Sequence, residues 1–217
     1  MRHLRLHLAF VVIGLLCWQP APAQVPGYCE VPVAQRTGEA GCYLLTVVPL
    51  GNLPPGPLFW HLYAFPDRAA AEAAVGPRST VVEAHGRVWL FAIAEQGWRV
   101  TGGERIAALG PFEGRSAVQY TAHYAEAMFP PNMQTAVHQH HGIEASYVIA
   151  GAECVETPAG RIVSHAGEGA VVAEDTPMQL RNPGPEARRA VALILHDAAH
   201  HWSVPAPNWQ PSGLCAG

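Results

Sequence analysis

Two histidines and a glutamate stand in this chain at a spacing that suits a metal ion. The stretch reads His138-Gln139-His140-His141-Gly142-Ile143-Glu144. Alternate side chains on a strand share a face, so His138 and His140 project into one space and His141 points away, toward a rim or the surface. After a turn at Gly142, Glu144 opens the run Glu144-Ala145-Ser146-Tyr147-Val148-Ile149, and its carboxylate can reach the same space from the neighbouring strand. Two imidazoles and one carboxylate suit a single divalent transition metal (Fe, Mn, Ni, Zn or Cu). Such a set leaves metal positions open for O₂ or a chelating substrate. Glu144 would then be a ligand and, as the candidate catalytic group, a proton acceptor.

These side chains need a scaffold of short strands, and the sequence offers one. From residue 116 onward, apolar runs of strand length alternate with turn residues about every ten positions. We read strands over Val118–Met128, Thr135–His140, Ala145–Ile149, Glu153–Thr157, Arg161–His165, Ala170–Ala173, Met178–Arg181 and Arg189–His196. Eight short strands with Gly and Pro turns predict a sandwich or small barrel. Ahead of them, Tyr43–Leu50, Leu58–Phe65, a short helix capped by Asp67, Thr80–Ala84 and Val88–Ile93 predict a small α+β unit. That unit carries no catalytic constellation, and His61 within it reads as a packed or hydrogen-bonded histidine. The expected organisation is an export signal over 1–23, the α+β region over 24–115, the barrel over 116–205 and a tail over 206–217.

Here the sequence resembles the cupin superfamily. His-x-His, three residues, Glu, six residues and Gly is the first cupin motif, and His138, His140, Glu144 and Gly151 occupy it. The motif's leading Gly is replaced by Asn132, a residue that tolerates left-handed backbone better than most. The second motif is degraded: Gly167 and Asn182 match, Ala173 and Asp175 replace turn residues, and Met178 stands where the family carries its third histidine ligand. The resemblance covers roughly 116–205 and implies a mainly β fold, with a C-terminal eight-stranded jelly-roll barrel behind the small α+β unit. It implies one metal and a small organic ligand inside the barrel, and homodimers are common in the family. Met178 leaves three readings open. The metal is held by His138, His140 and Glu144 with Met178 lining the site; or Met178 is a fourth, soft ligand and the metal is copper; or the metal has been lost and the fold binds a ligand only. His196, His123 and His165 are substitute ligands to consider, His196 first. Tyr124 and Tyr147 are read as aromatic core or cavity lining.

Composition narrows the function. The chain has 217 residues, 49% of them hydrophobic and 14% charged, which does not describe a disordered chain. Every basic residue is Arg, and removal of residues 1–23 leaves a net charge of −6, with no basic face to meet nucleic acid. Arg2 and Arg5, the apolar run Leu8–Trp18 and Ala21-Pro22-Ala23 have the form of a cleaved signal, so a periplasmic or secreted protein without stable membrane insertion is expected. Cys29, Cys42, Cys154 and Cys215 remain, and in an oxidising compartment four cysteines suggest two disulfides with three allowed pairings. Cys29–Cys42 closes a short loop and Cys154–Cys215 ties down the C-terminus, which favours that pairing. The functional expectation is an exported metal-binding cupin acting on a small organic molecule as a dioxygenase-like oxidoreductase. The alternative is a non-catalytic cupin that holds a small ligand or a metal, periplasmic copper included.

Overall fold

The structure, a computed structural model, describes residues 28–216. The expected signal over 1–23 lies outside the described residues. Two 3-10 turns, Tyr28–Glu30 and Val33–Gln35, lead into β1 (Gly41–Gly51) and β2 (Gly56–Phe65). Helix α1 (Arg68–Ala73) follows, then β3 (Ser79–Ala84), β4 (Arg87–Ala94) and β5 (Glu104–Gly114). The next eight strands are β6 (Tyr120–Phe129), β7 (His138–Gln139), β8 (Gly142–Ala150), β9 (Ala152–Thr157), β10 (Gly160–His165), β11 (Gly169–Val172), β12 (Gln179–Arg181) and β13 (Arg188–Asp197). A last short strand, β14 (Val204–Pro205), pairs with β7.

All eight strands expected after residue 116 are present. Counted one to eight from β6 to β13, they run 1-8-3-6 in one sheet (β6-β13-β8-β11) and 5-4-7 in the other (β10-β9-β12). Bridges Gln134–Arg181 and His138–Met178 add the β7 segment beside β12, which completes the second sheet as 5-4-7-2. Two interleaved antiparallel sheets in this order make a jelly roll. Asn132 does take the left-handed conformation expected of it (φ +64°), and so does Asp175 (φ +53°) in the degraded second motif.

The N-terminal region differs from the expectation in two strands. Gly41–Gly51, grouped by sequence with the α+β unit, instead hydrogen-bonds to β6 and extends the first barrel sheet at its edge, as β1-β6-β13-β8-β11. Short-range pattern joins β1 to β2 through the turn at 51–56, whereas the pairing that forms is with a strand some eighty residues away. In its place the smaller sheet gains β5, giving the order β3-β4-β2-β5. The sequence carries no strand expectation there, because Gly110-Pro111 interrupts the apolar pattern. Pro111 is tolerated because β5 is an edge strand and its register with β2 shifts there, between Leu58 and Trp60. Helix α1 starts as expected, with the Asp67 side chain accepting from the Ala70 N–H at 2.8 Å.

The first barrel sheet is covered on both faces. On its outer face Tyr124, Tyr147, Val191, Leu193 and Leu195 pack against Trp60, Leu62, Trp89 and Phe91 of the smaller sheet. On its inner face Ala125, Ala127 and Phe129 meet Val155, Met178 and Leu180 of the second sheet. This explains why β13 is apolar without alternation: a strand buried on both sides has no solvent face. Tyr124 and Tyr147 are therefore core residues that point away from the barrel interior. Disulfides Cys29–Cys42 and Cys154–Cys215 pin the two ends of the described chain to the barrel wall, in the favoured pairing. Among the described residues no helix is long and apolar enough to cross a membrane.

Candidate metal centre

His138 opens β7 and His140 directly follows it, beside the second sheet, and Glu144 lies near the start of β8, in the first. Gly142 makes the crossing possible: a Cβ there would run into the Leu195 carbonyl oxygen and the His196 Cα of β13. The two strands thus approach closely where the chain turns from His140 to Glu144. The donor atoms of His138, His140 and Glu144 all fall within 4.8 Å of one another, and among the described residues no other group of three His, Cys, Asp or Glu meets that distance.

Each imidazole is oriented by backbone. His138 Nδ1–H donates to the Ala136 carbonyl at 2.9 Å, and His140 Nδ1–H donates to the Trp202 carbonyl at 2.7 Å. A carbonyl only accepts, so both rings carry their proton on Nδ1 and turn Nε2 toward the shared space. Backbone carbonyls that fix the tautomer of metal-binding histidines are a recurrent device. His140 Nε2 lies 2.8 Å from Glu144 Oε2, close enough to share one proton. A divalent cation can take the place of that proton, so the donor set fits a metal of the kind expected.

The electrostatics favour a charged carboxylate. Burial pushes the Glu144 carboxyl up, but the hydrogen bond with His140 and the charges of His140, His138 and Arg188 outweigh it and hold the carboxyl below its ordinary value. A carboxylate held low is a good ligand and a weak base near neutral pH. Burial pulls His138 down, and the neighbouring His140 adds to that, so its neutral, metal-competent form persists below the usual imidazole range.

Of the other histidine candidates, His123, His165 and His196 stand outside this group. Met178 pairs with His138 through two backbone hydrogen bonds, of 2.8 and 3.1 Å. Its side chain, 1% exposed, packs with Phe129, Met133, Val155 and Leu180. Directly opposed residues point to the same face, so Met178 sits beside the histidines as part of the apolar lining. Replacing it by Leu is expected to leave the fold intact, at a cost under about 1.5 kcal/mol. Metal affinity should be unchanged, copper included. A tenfold or greater loss of copper affinity in Met178→Leu, measured against a competing chelator, would instead make the thioether a ligand. His196 and His123 are both buried and lie outside the 4.8 Å group, each with one ring nitrogen hydrogen-bonded to backbone. His196 Nδ1–H donates to the Asp197 carbonyl, and His123 Nε2–H to the Cys29 carbonyl at 3.3 Å. His165 is exposed at the end of β10.

Two features were not foreseen. Trp202 crosses the mouth of the barrel, stacked on His123 with ring centres 4.5 Å apart and on His140 at 5.7 Å. Its indole N–H donates to Glu30. The only sequence signal was an aromatic beside a histidine pair in a segment with no strand pattern. The second feature is an ion pair deeper in the barrel. Arg188 of β13 donates to Glu153 of β9, and the Ser146 hydroxyl donates to the other oxygen of the same carboxylate.

No family model matches the chain, and no curated protein resembles it in sequence. Solved structures resemble parts of it. A cupin domain from Bordetella pertussis Tohama I is 23% identical over 34% of this chain and 80% of that one, with a TM-score of 0.30. A Cupin 2 conserved barrel domain protein from Salinispora arenicola is 23% identical over 36% of this chain and 65% of that one, with a TM-score of 0.33. An oxalate oxidase is 20% identical over 40% of this chain, which spans only 46% of the oxidase, with a TM-score of 0.35. Those likenesses are partial; the chain's own strand order is that of a jelly roll, with the His138, His140 and Glu144 group in its interior.

Proposed function

We propose that the chain is an exported, metal-dependent cupin that acts on a small organic molecule, most simply as a dioxygenase-like oxidoreductase. The observation that carries this reading is the preset donor set: two imidazoles locked with Nε2 inward, and one carboxylate held in its charged form, all within 4.8 Å. A metal bound there would supply a Lewis acid with open positions for O₂ or a chelating substrate. The protein's part is to position. Ala136 and Trp202 hold the two rings, Glu144 keeps its charge, and Trp202 with His123 walls the mouth against water. The two disulfides suit an oxidising compartment, which is where the N-terminal signal-like segment would send the chain.

A second reading is a binding protein without turnover. It draws on the tight closure of the site, with His140 2% exposed and Trp202 lying across it, and on Met178 standing where a third histidine is expected. The test is to load the purified protein separately with Fe, Mn, Ni, Zn and Cu and to assay each form against small phenols and organic acids. We expect turnover with a redox metal and a loss of at least 100-fold in Glu144→Gln. Ligand-induced thermal stabilisation with no turnover across the panel would establish the binding reading in its place.

A further inference from the structure

We propose that His141, His200 and Asp175 form a second, solvent-facing site for a borderline divalent cation such as Zn²⁺, Cu²⁺ or Ni²⁺. These residues come from three separate segments: the turn between β7 and β8, the turn between β11 and β12, and the stretch after β13. They converge on the outside of the barrel mouth. His141 Nδ1 lies 2.8 Å from Asp175 Oδ1, and the His141 and His200 rings stand 4.9 Å apart, tilted by 46°.

The backbone holds the three in place. The Asp175 N–H donates to the His140 carbonyl at 2.8 Å, the Asp197 N–H to the His141 carbonyl at 3.1 Å, and the His200 N–H to the Asp197 carbonyl at 3.1 Å. The cluster is therefore anchored to the same short strand that carries the buried pair. Strand alternation separates the two sites: His140 turns inward, and its neighbour His141 turns outward.

Donor chemistry sets the class of ion. Two imidazoles and one carboxylate favour Zn, Cu(II) and Ni over the oxygen-seeking Mg and Ca. Access separates this site from the buried one. The His141 and Asp175 side chains are 32% and 60% exposed and His200 is exposed, so a hydrated cation reaches them without any opening of the barrel. The donor atoms of the three do not all fall within 4.8 Å of one another here, so closing the site on an ion requires the His200 side chain to turn. The competing account is an ordinary surface His–Asp hydrogen bond with a histidine beside it, and it predicts no metal here.

Equilibrium dialysis of the untagged full chain against Zn²⁺ and Cu²⁺, read by elemental analysis, distinguishes the two. The expected result is two equivalents in wild type, with one retained in H138A/H140A and removed when H141N/H200N is added to that background. Asp175→Asn alone should weaken that equivalent at least tenfold. All three positions are surface residues, and circular dichroism checks that each variant is folded. An equivalent that survives both H141N/H200N and Asp175→Asn in the H138A/H140A background overturns the proposal, as does the absence of any metal from H138A/H140A. The buried site is judged separately. If wild type binds one equivalent and H141N/H200N abolishes it, the outer site stands and the metal-dependent function proposed above fails.

Discussion

H138A/H140A is expected to lose the buried metal altogether. Both substitutions remove donors from the only group of three His, Cys, Asp or Glu that falls within 4.8 Å among the described residues, and neither His123 nor His196 belongs to that group. Loss of an outer partner of a metal ligand costs about 10- to 100-fold in affinity, and loss of two ligands must cost more. Stability should report the same event. A ligand at 100 times its Kd stabilises a fold by about 2.7 kcal/mol, so metal should raise the Tm of wild type by clearly more than that of the double variant, which keeps only the outer site proposed above. The effect of pH has a definite sign. Metal competes with protons for Nε2, so affinity falls as pH is lowered. The fall should steepen below the ordinary imidazole range, because burial and the neighbouring His140 have already pulled His138 down. Isothermal titration at pH 7.5, 6.5 and 5.5 measures this. Binding that weakens most between 7.5 and 6.5 would contradict the depressed His138. A double variant that still takes up a full buried equivalent would contradict the site.

The sequence made the metal cluster legible because its signal is local. His138, His140 and Glu144 fall within seven residues, and period-two alternation with one turn is enough to bring them together. The eight barrel strands were legible for the same reason: each is a short run closed by its own turn. What stayed hidden depends on long-range pairing. The move of β1 to the barrel edge is fixed by hydrogen bonds to β6, and nothing within 41–51 distinguishes that partner from β2. Trp202 belongs to a segment without periodicity, and it reaches His140 only because β14 docks on β7 and Cys215 is tied to Cys154. Asn132 and Asp175 show a third case, in which residues that depart from the motif keep its backbone, since both take the left-handed conformation the glycines would have supplied. The motif was thus more intact in conformation than in residue identity, except at Met178, where no side-chain substitute restores an imidazole.

Arg188→Met should be among the most destabilising single changes in the barrel. Arg188 is 1% exposed and Glu153 0%, and their ion pair joins β13 of one sheet to β9 of the other across the interior. The Ser146 hydroxyl holds the second oxygen of Glu153, and the Phe129 ring lies 5.2 Å from the guanidinium carbon. Removing one partner of such a pair leaves a buried charge uncompensated and costs about 3–5 kcal/mol. That is a large share of the roughly 5–15 kcal/mol by which a domain is stable. Arg188 also has a bearing on the metal cluster, because its charge is one of those that hold the Glu144 carboxyl low. Arg188→Met should therefore let that carboxyl rise, in addition to its effect on the fold. Glu153→Leu should cost about as much as Arg188→Met, since Nε and Nη1 of Arg188 already have no acceptor among the described residues and would then be joined by Nη2. The double variant Glu153→Leu/Arg188→Met buries no charge, and it should recover most of the loss, because well-packed apolar replacements of buried ion pairs are often neutral or stabilising. Urea denaturation of the four proteins closes the cycle. Two single variants that each cost less than about 1 kcal/mol would mean that water reaches the pair. A double variant no better than the singles would mean that the charges hold the two sheets in register in a way that apolar packing does not replace.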